Sequence, residues 1–128
     1  DTQGTYDSYI RVNINYKSSI FSIAGTIYSD GKPRFIQINS INLEAEPVDH
    51  MLYTTNIDKP GYIGALGTVL GEAKLNIATF SLGRDNKNGK AIALLGVDEV
   101  VSDKVIEKIK KLPQVDKARS LNFFLKKN

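Results

Sequence analysis

Between Tyr9 and Tyr16 the apolar positions Ile10, Val12, Ile14 and Tyr16 alternate with Arg11, Asn13 and Asn15, the period-two pattern of a strand with one face in a core. Phe21, Ile23, Gly25 and Ile27 repeat it, and Asp30-Gly31 supplies the positive φ angles of a tight hairpin turn. Alternation resumes at Ile36 and Ile38, and a further short strand is predicted from Ile41 to Ala45. Residues 1–47 therefore read as an antiparallel β meander. They show no helical period, so the apolar face of the meander has no covering layer of its own, whereas stable domains pack two layers around a core. That layer is expected upstream of Asp1 or from a partner chain.

From His50 the pattern changes. Met51 to Ile57 is a predicted strand, and Asp58-Lys59-Pro60-Gly61 is a helix-entry signal, because Pro is tolerated where the first helical N–H groups lack intrahelical partners. A helix is predicted from about Gly61 to Lys74. Strands follow at Ile77 to Leu82 and Ala91 to Val97, joined by a loop ending in Asn88-Gly89. Ser102 to Leu112 reads as a helix with Ser102 as N-cap, lysines toward its end and Pro113 beyond it. Val115 to Leu125 is the last predicted strand. Residues 48–128 thus follow the βαββαβ order of a ferredoxin-like α+β fold.

Two features stand out against that pattern. Ile63, Leu66, Leu70 and Ala73 form the ordinary apolar stripe of a helix on a sheet, but Gly64, Gly67 and Gly71 form a second stripe. Glycine costs a helix about 1 kcal/mol relative to Ala, so the stripe points either to close approach of another backbone or ligand, or to tight packing within one subunit. The strand Ala91 to Val97 is apolar on both faces. It is either central and covered on both sides, or covered on its second face by another domain or subunit.

Composition narrows the classes. The 128 residues carry 17 Lys+Arg and 14 Asp+Glu, a net charge of +3, with 41% hydrophobic residues, enough to build a core. No apolar run approaches the roughly 20 residues of a membrane span. The absence of Cys excludes a disulfide scaffold, a Cys zinc site and a thiol nucleophile, and fits a cytoplasmic location. The start, Asp1-Thr2-Gln3-Gly4, has neither an initiator Met nor a signal-peptide pattern, as expected of a fragment or a processed chain.

Several chemistries find no support. Gly61-x-x-Gly64-x-x-Gly67 lacks the spacing of a dinucleotide-binding loop, so no cofactor is expected in this segment. His50 is the single histidine, and no serine lies in a nucleophile elbow. Glu44, Glu46, Asp49 and His50 surround Pro47 and read as a solvated linker rather than a metal cluster. An RNA-binding sheet stacks bases on aromatic residues, of which the central strands offer only Tyr53. Lys104, Lys108, Lys110 and Lys111 read as a solvated helix face, so no nucleic-acid partner is expected. An acylphosphatase-like site needs an arginine in the loop before the first helix, where this chain has Asp58.

That turn does offer amino-acid recognition. Free N–H groups near Gly61 to Ile63 can receive a carboxylate, Asp58 can accept from an ammonium, and the Asn56 and Asn76 amides can donate and accept. Equally, Asp58 reads as a helix cap and Asn76 as a turn residue.

The run Asn56-Ile57-Asp58-Lys59-Pro60-Gly61-Tyr62-Ile63-Gly64, with Gly67-Thr68-Val69-Leu70-Gly71-Glu72 and Asn76-Ile77-Ala78, resembles the ACT domain that ends long-form bacterial D-3-phosphoglycerate dehydrogenases. Leu82-Gly83-Arg84, Val97-Asp98-Glu99, Ala24-Gly25-Thr26, Pro33-Arg34 and Ala45-Glu46-Pro47 match the same family. The resemblance implies that residues 1–47 are the latter part of the intervening, allosteric substrate-binding domain and residues 48–128 the ACT domain. It implies a parent oxidoreductase that oxidises 3-phosphoglycerate with NAD in serine biosynthesis, with nucleotide-binding and catalytic domains upstream and no catalytic residue in this segment.

In that family ACT domains pair edge to edge as homodimers, and L-serine binds at the interface and inhibits. Carried over by position, Asn56, Asp58, Pro60, Gly61, Tyr62, Ile63 and Asn76 occupy the effector site, with Asn76 facing the partner subunit's turn. Asn56 stands where some members have histidine. Arg34 corresponds to a basic residue of an anion site in the intervening domain, but Glu46 stands where the second basic residue would be, and Arg34 reads equally as a solvent-facing strand residue. The alternative to an effector module is a purely structural dimerisation module with an empty turn. A regulatory part of a serine dehydratase is a more distant resemblance.

Overall fold

The computed structural model describes residues 10–16, 19–85 and 89–123; Tyr9, Asn88 and Leu125 of the predicted elements lie outside them. The chain divides into two compact units, Asp1–Pro47 and Val48–Asn128.

The first unit is a meander of β1 (Ile10–Tyr16), β2 (Ser19–Ile27), β3 (Pro33–Ile38) and β4 (Ile41–Ala45), paired antiparallel in chain order. Its turns follow the residues that favour them. Gly31 takes φ 80° between β2 and β3, and the Asp30 carboxylate accepts from the Lys32 N–H at 2.8 Å. Asn39 takes φ 54° before β4, and its side-chain oxygen accepts from the Ser22 N–H at 3.1 Å. Ile23, Ile36, Ile38, Leu43 and Ala45 are buried, and the described residues of this unit contain no helix.

The second unit contains β5 (His50–Ile57), α1 (Tyr62–Glu72), β6 (Ile77–Asp85), β7 (Lys90–Val97), α2 (Asp103–Lys110) and β8 (Val115–Asn122). The sheet order is β6-β7-β5-β8 with every neighbour antiparallel, so β5 and β6 flank β7 as a split βαβ unit. This is the ferredoxin-like α+β fold.

The core lies between the helices and one sheet face. Tyr62, Leu66 and Leu70 of α1 and Val105, Ile106 and Ile109 of α2 meet Leu52 of β5, Ala93, Leu95 and Val97 of β7, and Ala118 of β8. β7 is central, and Ile92 and Leu94 on its other face are buried as well, which accounts for a strand with no polar side. Gly96 of β7 is required by crowding. A Cβ there would overlap Thr79 Oγ1 and come within 2.8 Å of Val48 Cγ2, and the Thr79 hydroxyl accepts from the Gly96 N–H at 3.1 Å beside the bulge at Ile77/Thr79.

The element ends depart from the expected ones for local reasons. β6 continues past Leu82 because Gly83, Arg84 and Asp85 pair with Ile92, Ala91 and Lys90. α1 stops at Glu72: Lys74 takes φ 60°, its N–H donates to the Gly71 carbonyl and the Leu75 N–H to the Leu70 carbonyl, both at 3.0 Å, which is a Schellman closure with lysine in the left-handed position. α2 begins after Ser102, whose hydroxyl accepts from the Val105 N–H at 3.3 Å. It ends at Lys110, where Lys111 and Leu112 donate three residues back to Lys108 and Ile109 in a tightened turn.

Candidate functional site

The end of β5 delivers two acceptors to one place. Asn56 shares the helix-facing side of β5 with Leu52 and Thr54 and is 3% exposed. Its Nδ2 donates to the Ile57 carbonyl at 2.9 Å. Its Oδ1 is buried and has no hydrogen-bond partner among the described residues. A buried acceptor without a partner costs about 1–3 kcal/mol, so a donor at this spot would recover free energy.

Asp58 follows the strand. Its backbone N–H donates to the Gly89 carbonyl and that of Ile57 to the Gln114 carbonyl, each at 2.8 Å, so the turn is pinned to the loops on both sides. The Asp58 carboxylate does not cap the helix. The N-cap is Gly61, at φ 95°, with no side-chain cap and no acidic residue in the first turn. The first N–H groups of α1 therefore meet the cavity with no carboxylate of their own, and the helix end favours an anion.

Arg84 comes from edge strand β6, level with Ala91 of β7, which is in turn level with Asn56. Its Nε lies 3.2 Å from Asp58 Oδ2, with the two side chains 60% and 32% exposed. Tyr62 closes the floor: it is buried, and its hydroxyl donates to Thr54 Oγ1 at 2.6 Å, fastening the start of α1 to β5. Burial raises the Tyr62 phenol above its usual range, and the bond to Thr54 offsets part of that rise.

Together these residues line a cavity of about 280 Å³. Of the seven residues expected at an effector site, Asn56, Asp58, Pro60, Gly61, Tyr62 and Ile63 line it. Asn76 does not: it lies before β6, roughly 25 Å along the strand from Arg84. Lys59, Gly64, Leu82 and Arg84 also line the cavity and were not read from the sequence as site residues. The signal for Arg84 was the period of two carried past the predicted strand end at Leu82.

Around this site the surface is apolar and open. Ile63, Phe80 and Leu82 are exposed by 46%, 43% and 36%. A Cβ built on Gly64, Gly67 or Gly71 meets nothing within 4 Å, so none of the described residues packs against the glycine stripe.

Elsewhere, Arg34 is half-buried, its guanidinium 5.4 Å above the Tyr28 ring and donating to the Pro33 carbonyl at 2.9 Å. Among the described residues no group of three or more His, Cys, Asp or Glu could hold a metal ion, and no helix is long and apolar enough to cross a membrane.

The ACT domain family matches residues 50–114, half of the chain, and covers the strands and helices that build this cavity. The chain belongs to the ACT domain family. The part before this ACT domain, residues 1–39, matches the D-3-phosphoglycerate dehydrogenase intervening domain. Similar proteins include the D-3-phosphoglycerate dehydrogenase of Bacillus subtilis, 32% identical over 89% of this chain and 22% of the relative. That of Methanocaldococcus jannaschii is 31% identical over 91% of this chain and 22% of the relative. The chain thus spans about a fifth of the length of these relatives.

Proposed function

We propose that this chain is the effector-sensing part of a D-3-phosphoglycerate dehydrogenase and that its ACT domain binds L-serine, or a similar small amino acid, at a homodimer interface. The observation that carries the reading is the pair of acceptors at the end of β5. Buried Asn56 Oδ1 without a partner and the Asp58 carboxylate call for a cationic donor. The uncapped start of α1 beside them calls for an anion. A zwitterionic amino acid brings both groups on one small molecule.

The dimer is supported by the place of β6 at the edge of the described sheet and by the exposed Phe80 and Leu82 along it. Antiparallel pairing of two β6 edges would bring the Arg84 end of one strand toward the start of the other, near the partner subunit's Asn76. That supports the role assigned to Asn76, which cannot reach the cavity of its own subunit. In this reading the catalytic and NAD-binding domains belong to the remainder of a cytoplasmic enzyme that oxidises 3-phosphoglycerate. Serine regulates it by binding the inactive domain arrangement more tightly than the active one.

Calorimetric titration of the chain with L-serine, with D-serine and glycine as controls and sedimentation to fix the oligomer, tests the proposal. Stereospecific binding at about one site per subunit is expected, and Asp58→Ala should abolish it while leaving the dimer intact. Undiminished serine binding by Asp58→Ala would show the site assignment to be wrong. A well-folded dimer that binds none of the three ligands would favour a module used for assembly alone.

A further inference from the structure

We propose that Arg84 is the resident counter-ion of Asp58, and that an effector enters by exchanging its ammonium for the Arg84 guanidinium. The inference rests on the amino-acid reading of this cavity. It adds a residue that sets affinity and selectivity without being one of the acceptors the ligand needs.

The cavity has two acceptors, and the protein satisfies one of them. Arg84 Nε is 3.2 Å from Asp58 Oδ2, while Asn56 Oδ1 has no partner. Asn56, Asp58 and Arg84 all line the same cavity. An ammonium has three donors and can serve Asn56 Oδ1 and the Asp58 carboxylate together, which the guanidinium does not do here. The resident pair is also easy to part, since its side chains are 60% and 32% exposed and ion pairs at such exposure contribute little.

Ligand entry then replaces one ion pair at Asp58 by another and adds the missing bond at Asn56. Lys59, the other cation lining the cavity, makes no ion pair with Asp58 among the described residues, so Arg84 is the cation that must give way.

This exchange has a signature that a merely structural Arg84 would not show. With Arg84 present, the number of carboxylate–cation pairs is the same before and after binding, so raising the salt concentration changes the affinity little. With Arg84→Gln, binding creates a pair that was not there before, and salt screens it.

The test is titration of the whole chain with L-serine, with glycine as a second probe, for wild type, Arg84→Gln, Arg84→Lys and Asp58→Asn, at about 0.05 and 0.5 M NaCl. Arg84→Gln should bind about two- to five-fold tighter than wild type at low salt and lose most of that gain at high salt. Arg84→Lys should restore wild-type behaviour. Circular dichroism checks that each variant is folded, as expected for an exposed side chain. Binding by Arg84→Gln alone also supports the exchange, since it means that the resident pair holds the site shut.

Equal or weaker binding by Arg84→Gln, with wild type binding, overturns the exchange and leaves the amino-acid reading standing. Failure of both proteins to bind either probe, or undiminished binding by Asp58→Asn, removes that reading and the exchange with it.

Discussion

At the scale of single residues, the site is held by a bond that makes no contact with solvent. Tyr62 and Thr54 are 1% and 0% exposed, and their hydroxyls meet at 2.6 Å. Tyr62→Phe should cost about 1 kcal/mol in urea unfolding at neutral pH, the usual worth of such a bond. It should also change the alkaline limb. Because burial raises the folded-state phenol above its unfolded value, the stability this group contributes is complete below the unfolded pKa and is lost as pH rises through the folded one. Wild type should therefore lose stability above about pH 10 more steeply than Tyr62→Phe, as measured by the urea midpoint against pH. At this scale the sequence was informative where chemistry is local. Ser102 as a cap and Asp30-Gly31 as a turn follow from their own side chains and backbone preferences. Arg84 was not legible as a site residue, because its partner is 26 positions away and the pairing depends on the register of β6 on β7.

At the scale of elements, α1 is built against its own propensity. Gly64, Gly67 and Gly71 weaken it, and the described residues place nothing over them. Gly67→Ala should therefore raise the stability of the subunit by about 0.5–1 kcal/mol, seen in thermal unfolding at low protein concentration. If the stripe receives a second chain, the same change should raise the dimer dissociation constant measured by sedimentation. A tighter dimer would instead mean that the partner lies elsewhere. The elements themselves were legible because a period of two and a period near 3.6 are written into the apolar positions. Their ends were not, since they are decided by partners: Lys74 in a left-handed closure ends α1, and pairing to Lys90 extends β6. Asp58 shows the same limit, reading equally as a helix cap and as an acceptor for an ammonium in sequence, and facing Arg84 in the fold.

At the scale of the molecule, the core between helices and sheet draws every member from residues 52–118, entirely within the second unit. We expect residues 48–128, expressed alone, to unfold cooperatively in urea and to keep the amino-acid affinity of the whole chain. Loss of affinity with an intact fold would assign part of the response to the first unit. The order of strands and helices was enough to give the ferredoxin-like topology, because a split βαβ unit leaves few ways to cover one sheet face. The use of the cavity was less legible, since the unpaired Asn56 oxygen exists only once β5 has been placed beside α1.

The two backbone bonds that pin the turn at Ile57 and Asp58 also bear on speed. In the proposed exchange, with Ile57 tied to Gln114 and Asp58 to Gly89, admitting a ligand asks for rotation of one exposed arginine side chain rather than the opening of a loop. Exposed rotamers change in picoseconds to nanoseconds, whereas loops take nanoseconds to microseconds. Entry would then be paced by diffusion, and occupancy would follow the ligand concentration without lag. Any delay in the response proposed for a larger assembly would arise in the rearrangement of its domains.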